Sequence, residues 1–564
     1  MKLLYSILLL ILTSNCFAQS FYLNINGTNE AQNRTIDSIS YIKKHPNIKL
    51  LNNEISTTLS LLTKQGYIDS KIIENRKVND STFYVLFDLK TKIKKIHIYI
   101  GKNRTTSNLY KTVNDTLLLP YSELENFLNQ EISKNEKEGF AFTKIKLENI
   151  RKKKSIIHAD LYSDSESKRR NLNAIIINYA NSNLNNYFPK GAIKQLNKKY
   201  TNKIFNQETV KKLHDDINSF EFVTQTKYPE ILFTKDSTKV YTYIDKRKAN
   251  TFDGYIGFSN DDTKKLILNG YLDISLINTL RAGEKFSLYW KSDGNQQKTF
   301  NTKLEIPYLF RSPIGIKAQL NIFKQDSTFQ NTKTDINLGY FINYNSKLYI
   351  GYQATESSDI QNTNSNSLSD FENSYFTTNY EYKRQNNENL FPAKAYINST
   401  IGYGKRSTPD EAGTAGLSKQ FFITLNLAYN FELNTNNYIY FNSQNNWLQS
   451  KNFITNELFR FGGLNSIRGF SENSLQANFN SLLLTEYRYL PTGNFYLHTI
   501  FDYGVYQDQT SNNKKIRNLL SFGVGLGLLT NSGLLKIQIA NGSANKGEIK
   551  FYNSILNICY NVNF

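Results

Sequence analysis

Few of the side chains that usually carry chemistry are arranged for it. The five histidines, His45, His97, His158, His214 and His498, are scattered along the chain and suit surface or packing positions better than a ligand set. No Gly-x-Ser-x-Gly, His-Glu-x-x-His or phosphate-binding glycine loop occurs. No catalytic residue, metal set or cofactor is therefore expected. One loop stands apart: Phe459-Arg460-Phe461-Gly462-Gly463-Leu464-Asn465-Ser466-Ile467-Arg468-Gly469-Phe470. A long loop with paired glycines is usually functional or disordered, and an Ile-Arg-Gly-Phe tetrad among apolar residues is not disorder-like. The chemistry it offers is charge pairing. A buried guanidinium is costly unless a carboxylate meets it, and the fork of arginine suits a bidentate partner better than lysine does.

The elements around that loop are strands. From Thr251 onward no helical period persists, and alternating segments are separated by Asn, Asp, Ser and Gly-rich turns. Phe421, Ile423, Leu425, Leu427, Tyr429 and Phe431 form one face of a segment, and Thr424, Asn426, Ala428, Asn430 and Glu432 the other. The last segment alternates in the same way, with Leu556, Ile558, Tyr560, Val562 and Phe564 against Asn557, Cys559, Asn561 and Asn563. No helices remain to cover such sheets, so lipid outside and water inside is the consistent reading. About sixteen candidate strands start between Thr251 and Lys550, including ones near Lys265, Glu284, Asn437, Ser481 and Gly533. The fold class expected is α+β repeats followed by a membrane all-β barrel of about sixteen antiparallel strands.

Upstream, residues 19–92, 93–168 and 169–249 repeat an order of strand, helices, strand, strand. Helices are expected over Glu30–Lys44, Leu51–Lys64, Tyr121–Lys137, Lys190–Lys199 and Gln207–Asn218. Gly66-Tyr67 and Gly139-Phe140 end two of them, whereas Ser219-Phe220 stands at the corresponding place in the third repeat. This order resembles POTRA domains, and two or three units are compatible with it. Residues 1–18 read as a secretory signal, with an apolar run over Leu3–Leu12 and cleavage after Ala18. A lipoprotein signal with Cys16 lipidated is the alternative. Only Cys559 then survives, so no intramolecular disulfide is expected. The formal charge of +20 points away from nucleic acid for an exported chain and suits a lysine-rich background or anionic outer-membrane lipids.

The loop names a family. Ile467-Arg468-Gly469-Phe470, Gly462-Gly463 and Ser471-Glu472-Asn473-Ser474-Leu475 resemble the lid loop (here 451–479) of the BamA/TamA superfamily of outer-membrane insertases, carried between barrel strands eleven and twelve. Thr485-Glu486-Tyr487-Arg488 is similar to the family's Glu-x-Arg strand. Phe501-Asp502-Tyr503-Gly504 is similar to its Asp-x-Gly strand, with Ile500 departing from the usual Phe or Gly. Phe252-Asp253-Gly254 at the start of the barrel (250–564) also fits. The resemblance covers the chain end to end. It implies that Asp502 holds Arg468, with Glu486 as a second contact or as the partner of Arg488, and that Gly469 lets the loop approach the wall. It also implies a weak lateral seam between Thr251–Asn260 and Lys550–Phe564, with Phe252, Asp253, Gly254, Tyr560 and Phe564 on it.

The function implied is assembly without an enzyme. Periplasmic POTRA units would receive unfolded outer-membrane or secreted clients by strand addition, and the seam would template their insertion. The length of the upstream region is more similar to the TamA-like branch than to a five-unit BamA. A periplasm-spanning or accessory assembly subunit is a further candidate partner. A two-partner secretion transporter, passing one exported protein through the pore, is the alternative. A passive porin leaves residues 19–250 without a role.

Overall fold

The structure is a computed structural model that describes residues 20–101, 112–113, 115–164, 168–180, 186–260, 266–293, 297–361, 368–385, 390–409, 415–544 and 551–564. The expected signal at 1–18, Cys16, and the strand starts at Lys265 and Lys550 lie outside the described residues. The chain divides into two compact units. One runs to Asn171 and includes Ile204–Glu208, and the other comprises Leu172–Lys203 and Thr209–Phe564.

The first unit holds two small α/β repeats. In the first, Phe21–Gly27 pairs in parallel with Thr82–Asp88, flanked by Lys44–His45 on one side and Lys71–Lys77 on the other. Helices α1 (Glu30–Asp37) and α2 (Ile48–Lys64) pack on this sheet through Ile36, Leu51, Ile55 and Leu62, which meet Leu23, Ile25, Val85 and Phe87 in the core. Each such side chain contributes roughly 1.5–3 kcal/mol of transfer free energy. Two helix boundaries differ from expectation. α1 stops at Asp37 because Ser40 takes a left-handed φ of 56° and the chain then extends to pair Lys44–His45 with Phe21–Tyr22. α2 starts at Ile48 because the Asn47 side chain accepts the Leu50 amide at 2.9 Å and caps it there.

The second repeat is a five-stranded sheet in the order Thr112–Val113, Thr116–Pro120, Lys95–Tyr99, Ile156–Ser163, Ile145–Lys153. Its helix α3 (Leu124–Lys137) follows a single tight turn at Tyr121–Glu123. The strand Thr116–Pro120 has no counterpart in the sequence reading. A five-residue apolar run is ambiguous by itself, and it becomes a strand because Leu117 and Leu119 alternate into the core.

In the second unit, Leu172–Tyr179, Thr238–Lys246 and Val223–Phe233 form a three-stranded sheet, accompanied by α4 (Lys190–Tyr200) and, from Thr209 on, α5 (Gln207–Asn218). Sixteen strands then close an antiparallel barrel. They are β1 (Thr251–Asn260), β2 (Leu266–Ile277), β3 (Lys285–Asp293), β4 (Gln297–Ile306), β5 (Ile314–Gln325), β6 (Phe329–Phe341), β7 (Ser346–Asp359) and β8 (Phe371–Gln385). The ring continues with β9 (Ala393–Pro409), β10 (Ala415–Asn434), β11 (Asn437–Gln449), β12 (Phe479–Thr492), β13 (Phe495–Gln507), β14 (Arg517–Leu529), β15 (Gly533–Ala544) and β16 (Ile555–Asn563).

The alternation seen in the sequence now has a direction. Large apolar side chains point outward, with Ile350 66% and Phe376 76% exposed, while Gln420, Asn430, Gln353 and Asn379 are buried inward. An outer band of this kind is stable only against lipid, and a polar interior only against water or paired charge. Among the described residues no helix is long and apolar enough to cross a membrane, and the barrel crosses with strands.

Candidate functional site

The connection from β11 to β12, residues 450–478, turns back into the barrel. Phe459–Phe461 pairs antiparallel with Leu475–Ala477 to make a small hairpin inside the lumen. Gly462 and Gly463, at φ of 108° and 101°, let the chain leave the first arm, and the Gly463 amide donates to the Ile467 carbonyl at 3.2 Å. Phe461 and Ile467 pack with Ala477, Leu482, Leu484, Tyr506 and Leu519, so the loop carries its own apolar anchor on the wall of β12 to β14.

The motif residues seat one by one. Ile467 is fully buried against Gly504, where an added Cβ would stand 2.5 Å from Leu482 Cδ2 and 3.4 Å from Ile467 Cδ1. Arg468 Nε donates to Asp502 Oδ2 at 2.8 Å and Nη2 to Asp502 Oδ1 at 2.5 Å, a bidentate fork. Its Nη1 donates to Glu486, Nη2 also to the Thr485 carbonyl at 3.3 Å, and its own amide to Asp502 at 3.1 Å. Asp502 is completely buried and the Arg468 side chain is 4% exposed. Glu486 is shared, because Arg488 Nε donates to its other oxygen at 2.7 Å. Arg488 in turn lies over the rings of Phe391 and Tyr440, at 4.6 and 4.3 Å. Gly469, at φ 76°, rests on β15, where a Cβ would stand 2.4 Å from the Gly542 amide nitrogen. Phe470 covers Gly542, whose own missing Cβ makes the space.

Between Thr485 and Arg488 the β12–β13 ladder is interrupted, since backbone register runs Thr485↔Phe501 and resumes at Arg488↔His498. Side chains fill in. Asp502 accepts the Thr485 amide at 3.3 Å, and Thr499 accepts the Tyr487 amide at 3.4 Å. Side-chain bonds and the charged cluster stand in for backbone pairing there.

The opposite side of the ring behaves differently. β1 pairs with β2 over its whole length, but among the described residues it pairs with β16 only at Thr251↔Asn563 and Phe252↔Val562. The Phe564 amide adds one bond to the Asn250 carbonyl at 3.0 Å. Phe252 is on this short junction. Asp253 faces the lumen, accepts the Tyr271 hydroxyl at 2.7 Å and sits opposite Asp273. Gly254 pairs with Leu272 and, among the described residues, has no partner on β16. Tyr560 shares a hydroxyl–hydroxyl hydrogen bond with Thr530 at 2.9 Å and pairs with Leu535 of β15. A cavity of about 470 Å³ separates the Arg468 cluster from this junction and is lined by Asp253, Arg468, Glu486, Arg488, Lys536 and Cys559 among others.

Three sets of loop and lumen contacts were not found from sequence. Arg406 of β9 pairs with Glu457, and Gln420 Nε2 donates to the same carboxylate at 2.8 Å. Glu472 accepts Lys291 of β3 and, at 3.1 Å, the Tyr289 hydroxyl, tying the loop across the lumen. Glu221, just after α5, accepts Lys383 at 2.6 Å and Lys285 at 3.2 Å, while Phe220 stacks on Tyr344 with centroids 4.2 Å apart. Burial alone would raise the Glu221 carboxyl, but the two lysines more than offset it and hold it below the usual carboxylate range. The only signal in the sequence was charge on an inward parity, which does not name the partner.

The fold and site define an outer-membrane-type β-barrel preceded by POTRA-like α/β repeats, with a loop clamped in its lumen, and this architecture points to the outer membrane. No family model and no curated protein matches the sequence. Among solved structures, CdiB from Acinetobacter baumannii aligns with a TM-score of 0.51 and 14% identity, covering 79% of this chain and 83% of that one. CdiB from Escherichia coli aligns at 0.48 and 13%, covering 83% and 90%. BamA from Haemophilus ducreyi lacking POTRA domains 1–3 aligns at 0.42 and 14%, covering 78% and 93%. The fold is the one shared with the Acinetobacter CdiB structure, and the likeness does not single out a TamA-like branch.

Proposed function

We propose that this chain is a BamA/TamA-superfamily factor that handles unfolded protein clients at the outer membrane and inserts them through the β1–β16 junction. Its POTRA-like repeats face the periplasm and receive the clients, and no enzymatic step is involved. The observation that carries this reading is the contrast between the two halves of the lumen wall. The loop is clamped by Arg468 to Asp502 and Glu486, while among the described residues the β1–β16 junction has only two paired positions. A barrel normally hides its edges, and an edge left nearly unpaired offers backbone donors and acceptors to an incoming strand. The clamp keeps the rest of the ring rigid while that edge stays available. A TamA-like role, outer-membrane lipid contacts and an accessory subunit belong to the same proposal.

The test is conditional depletion followed by quantitative outer-membrane proteomics. Loss of several unrelated barrels is the expected outcome. Loss of one exported protein with other barrels intact would overturn insertion and move the assignment to a two-partner secretion transporter.

A further inference from the structure

We propose that the lumen beside the third repeat contains a binding site for a small oxyanion, a carboxylate or phosphate group, formed by Lys285, Lys303 and the hydroxyl of Tyr344. The site is a cavity of about 260 Å³ bounded by β3, β4, β7 and β8 and by Glu221. Its charges do not balance. Lys285, Lys303, Lys347 and Lys383 line it, and Lys317 adjoins it through Glu381. Against these five ammonium groups stand three carboxylates among the described residues, Glu221, Glu305 and Glu381.

Each carboxylate is already committed. Glu305 accepts Lys347 at 2.5 Å and the Tyr349 hydroxyl at 3.0 Å. Glu381 accepts Lys317 at 2.9 Å and is 3.4 Å from Lys303. Glu221 is divided between Lys383 and Lys285, with the latter at 3.2 Å. Lys303 and Lys285 therefore hold the longest contacts, and the surplus of positive charge falls on them. An under-compensated ammonium group in a confined lumen attracts an anion, because little water is present to screen it.

The second observation is independent of charge. Tyr344 lines the same cavity, the residue is 7% exposed, and its buried hydroxyl donates to no acceptor among the described residues. A buried phenol without an acceptor is uncommon and costs stability until an acceptor arrives. Lys285 lies 5.3 Å from the Tyr344 ring and Lys347 5.5 Å, so the unfilled donor and the surplus charge are in one place. The third repeat supplies a precedent, since Glu221 is itself a carboxylate held by two of these lysines. The site does not depend on which clients the protein handles.

The test uses the full-length protein in detergent micelles at pH 7. Sodium phosphate and sodium acetate are titrated against sodium chloride at matched ionic strength, and the thermal midpoint of the heat-modifiable barrel is read. A saturating upward shift with phosphate or acetate beyond that with chloride is expected. A response to phosphate alone assigns a phosphate group, and a response to acetate a carboxylate. Lys303→Met and Tyr344→Phe should each weaken the apparent affinity about tenfold, the loss of one charge-assisted or buried hydrogen bond. Shifts no larger than with chloride overturn the site. So does an unchanged affinity in Tyr344→Phe, which removes a single oxygen and remains informative if Lys303→Met does not fold.

Discussion

Replacing Arg468 with alanine should release the loop from the barrel wall, and the size of the effect can be worked from the geometry. The substitution removes the fork to Asp502, the contact to Glu486 and the bond to the Thr485 carbonyl. Glu486 keeps Arg488 at 2.7 Å. Asp502 keeps only backbone amides, from residue 468 at 3.1 Å and Thr485 at 3.3 Å, and it is fully buried. Removing one member of a buried pair typically costs about 3–5 kcal/mol, mostly from the charge left behind. If that cost appears as local opening, the opened population of residues 462–475 rises by roughly two to three and a half orders of magnitude. Limited proteolysis or hydrogen exchange of the loop in the folded barrel reads this directly. Asp502→Asn added to Arg468→Ala should recover part of the loss, because it removes the orphaned charge. A loop cleavage rate within about threefold of the native one would refute the account, as would a double variant as impaired as the two singles summed.

Three further outcomes follow from the same structure. Gly469→Ala combines a left-handed φ of 76° with a Cβ 2.4 Å from the Gly542 nitrogen, so it should displace the loop at a cost of about 1–3 kcal/mol, seen as faster loop proteolysis; native rates would contradict the close approach. The Glu221 carboxyl is held below its ordinary value, so its contribution is present above about pH 4.3 and lost only as pH falls below the carboxylate range. Hydrogen exchange at Phe220–Phe222 should therefore be flat between about pH 5 and 8 once corrected for intrinsic rates, and loosening within that window would contradict the ion pair. A Phe252→Cys, Val562→Cys pair in a Cys559→Ser background should lock the short β1–β16 junction when oxidised. Barrel assembly in cells should then stop and resume on reduction, and undiminished assembly with the junction locked would argue against insertion through it.

How much of this was legible in the sequence depends on how far apart the interacting residues lie. Alternation along one segment is local. The faces Phe421 to Phe431 and Leu556 to Phe564 could be read directly, and Leu427, Tyr429, Phe431, Leu556, Ile558 and Tyr560 on them are exposed on the barrel. The span Thr251–Asn260, the helix Gln207–Asn218 and the loop between the eleventh and twelfth strands were likewise set by period, turn residues and glycines. Short ambiguous runs were not. Thr116–Pro120 became a strand, and the stretch after Asp37 ceased to be helix, only because neighbours were there to pair with them.

The pairing of charges was legible only in part. The sequence shows that Arg468 needs a carboxylate and that Glu486 and Asp502 share an inward parity. The resemblance already set Asp502, thirty-four positions away, against Arg468, and register decides that Glu486 serves both Arg468 and Arg488. The gap in the β12–β13 ladder, the seat of Phe470 over Gly542, and Glu221 between Lys285 and Lys383 are likewise products of strand stagger and of docking. A chain dictates its own periodicity through backbone and side-chain sterics. It does not dictate which distant residue arrives opposite, because that is settled only when the ring closes and the shear of sixteen strands fixes every facing pair at once.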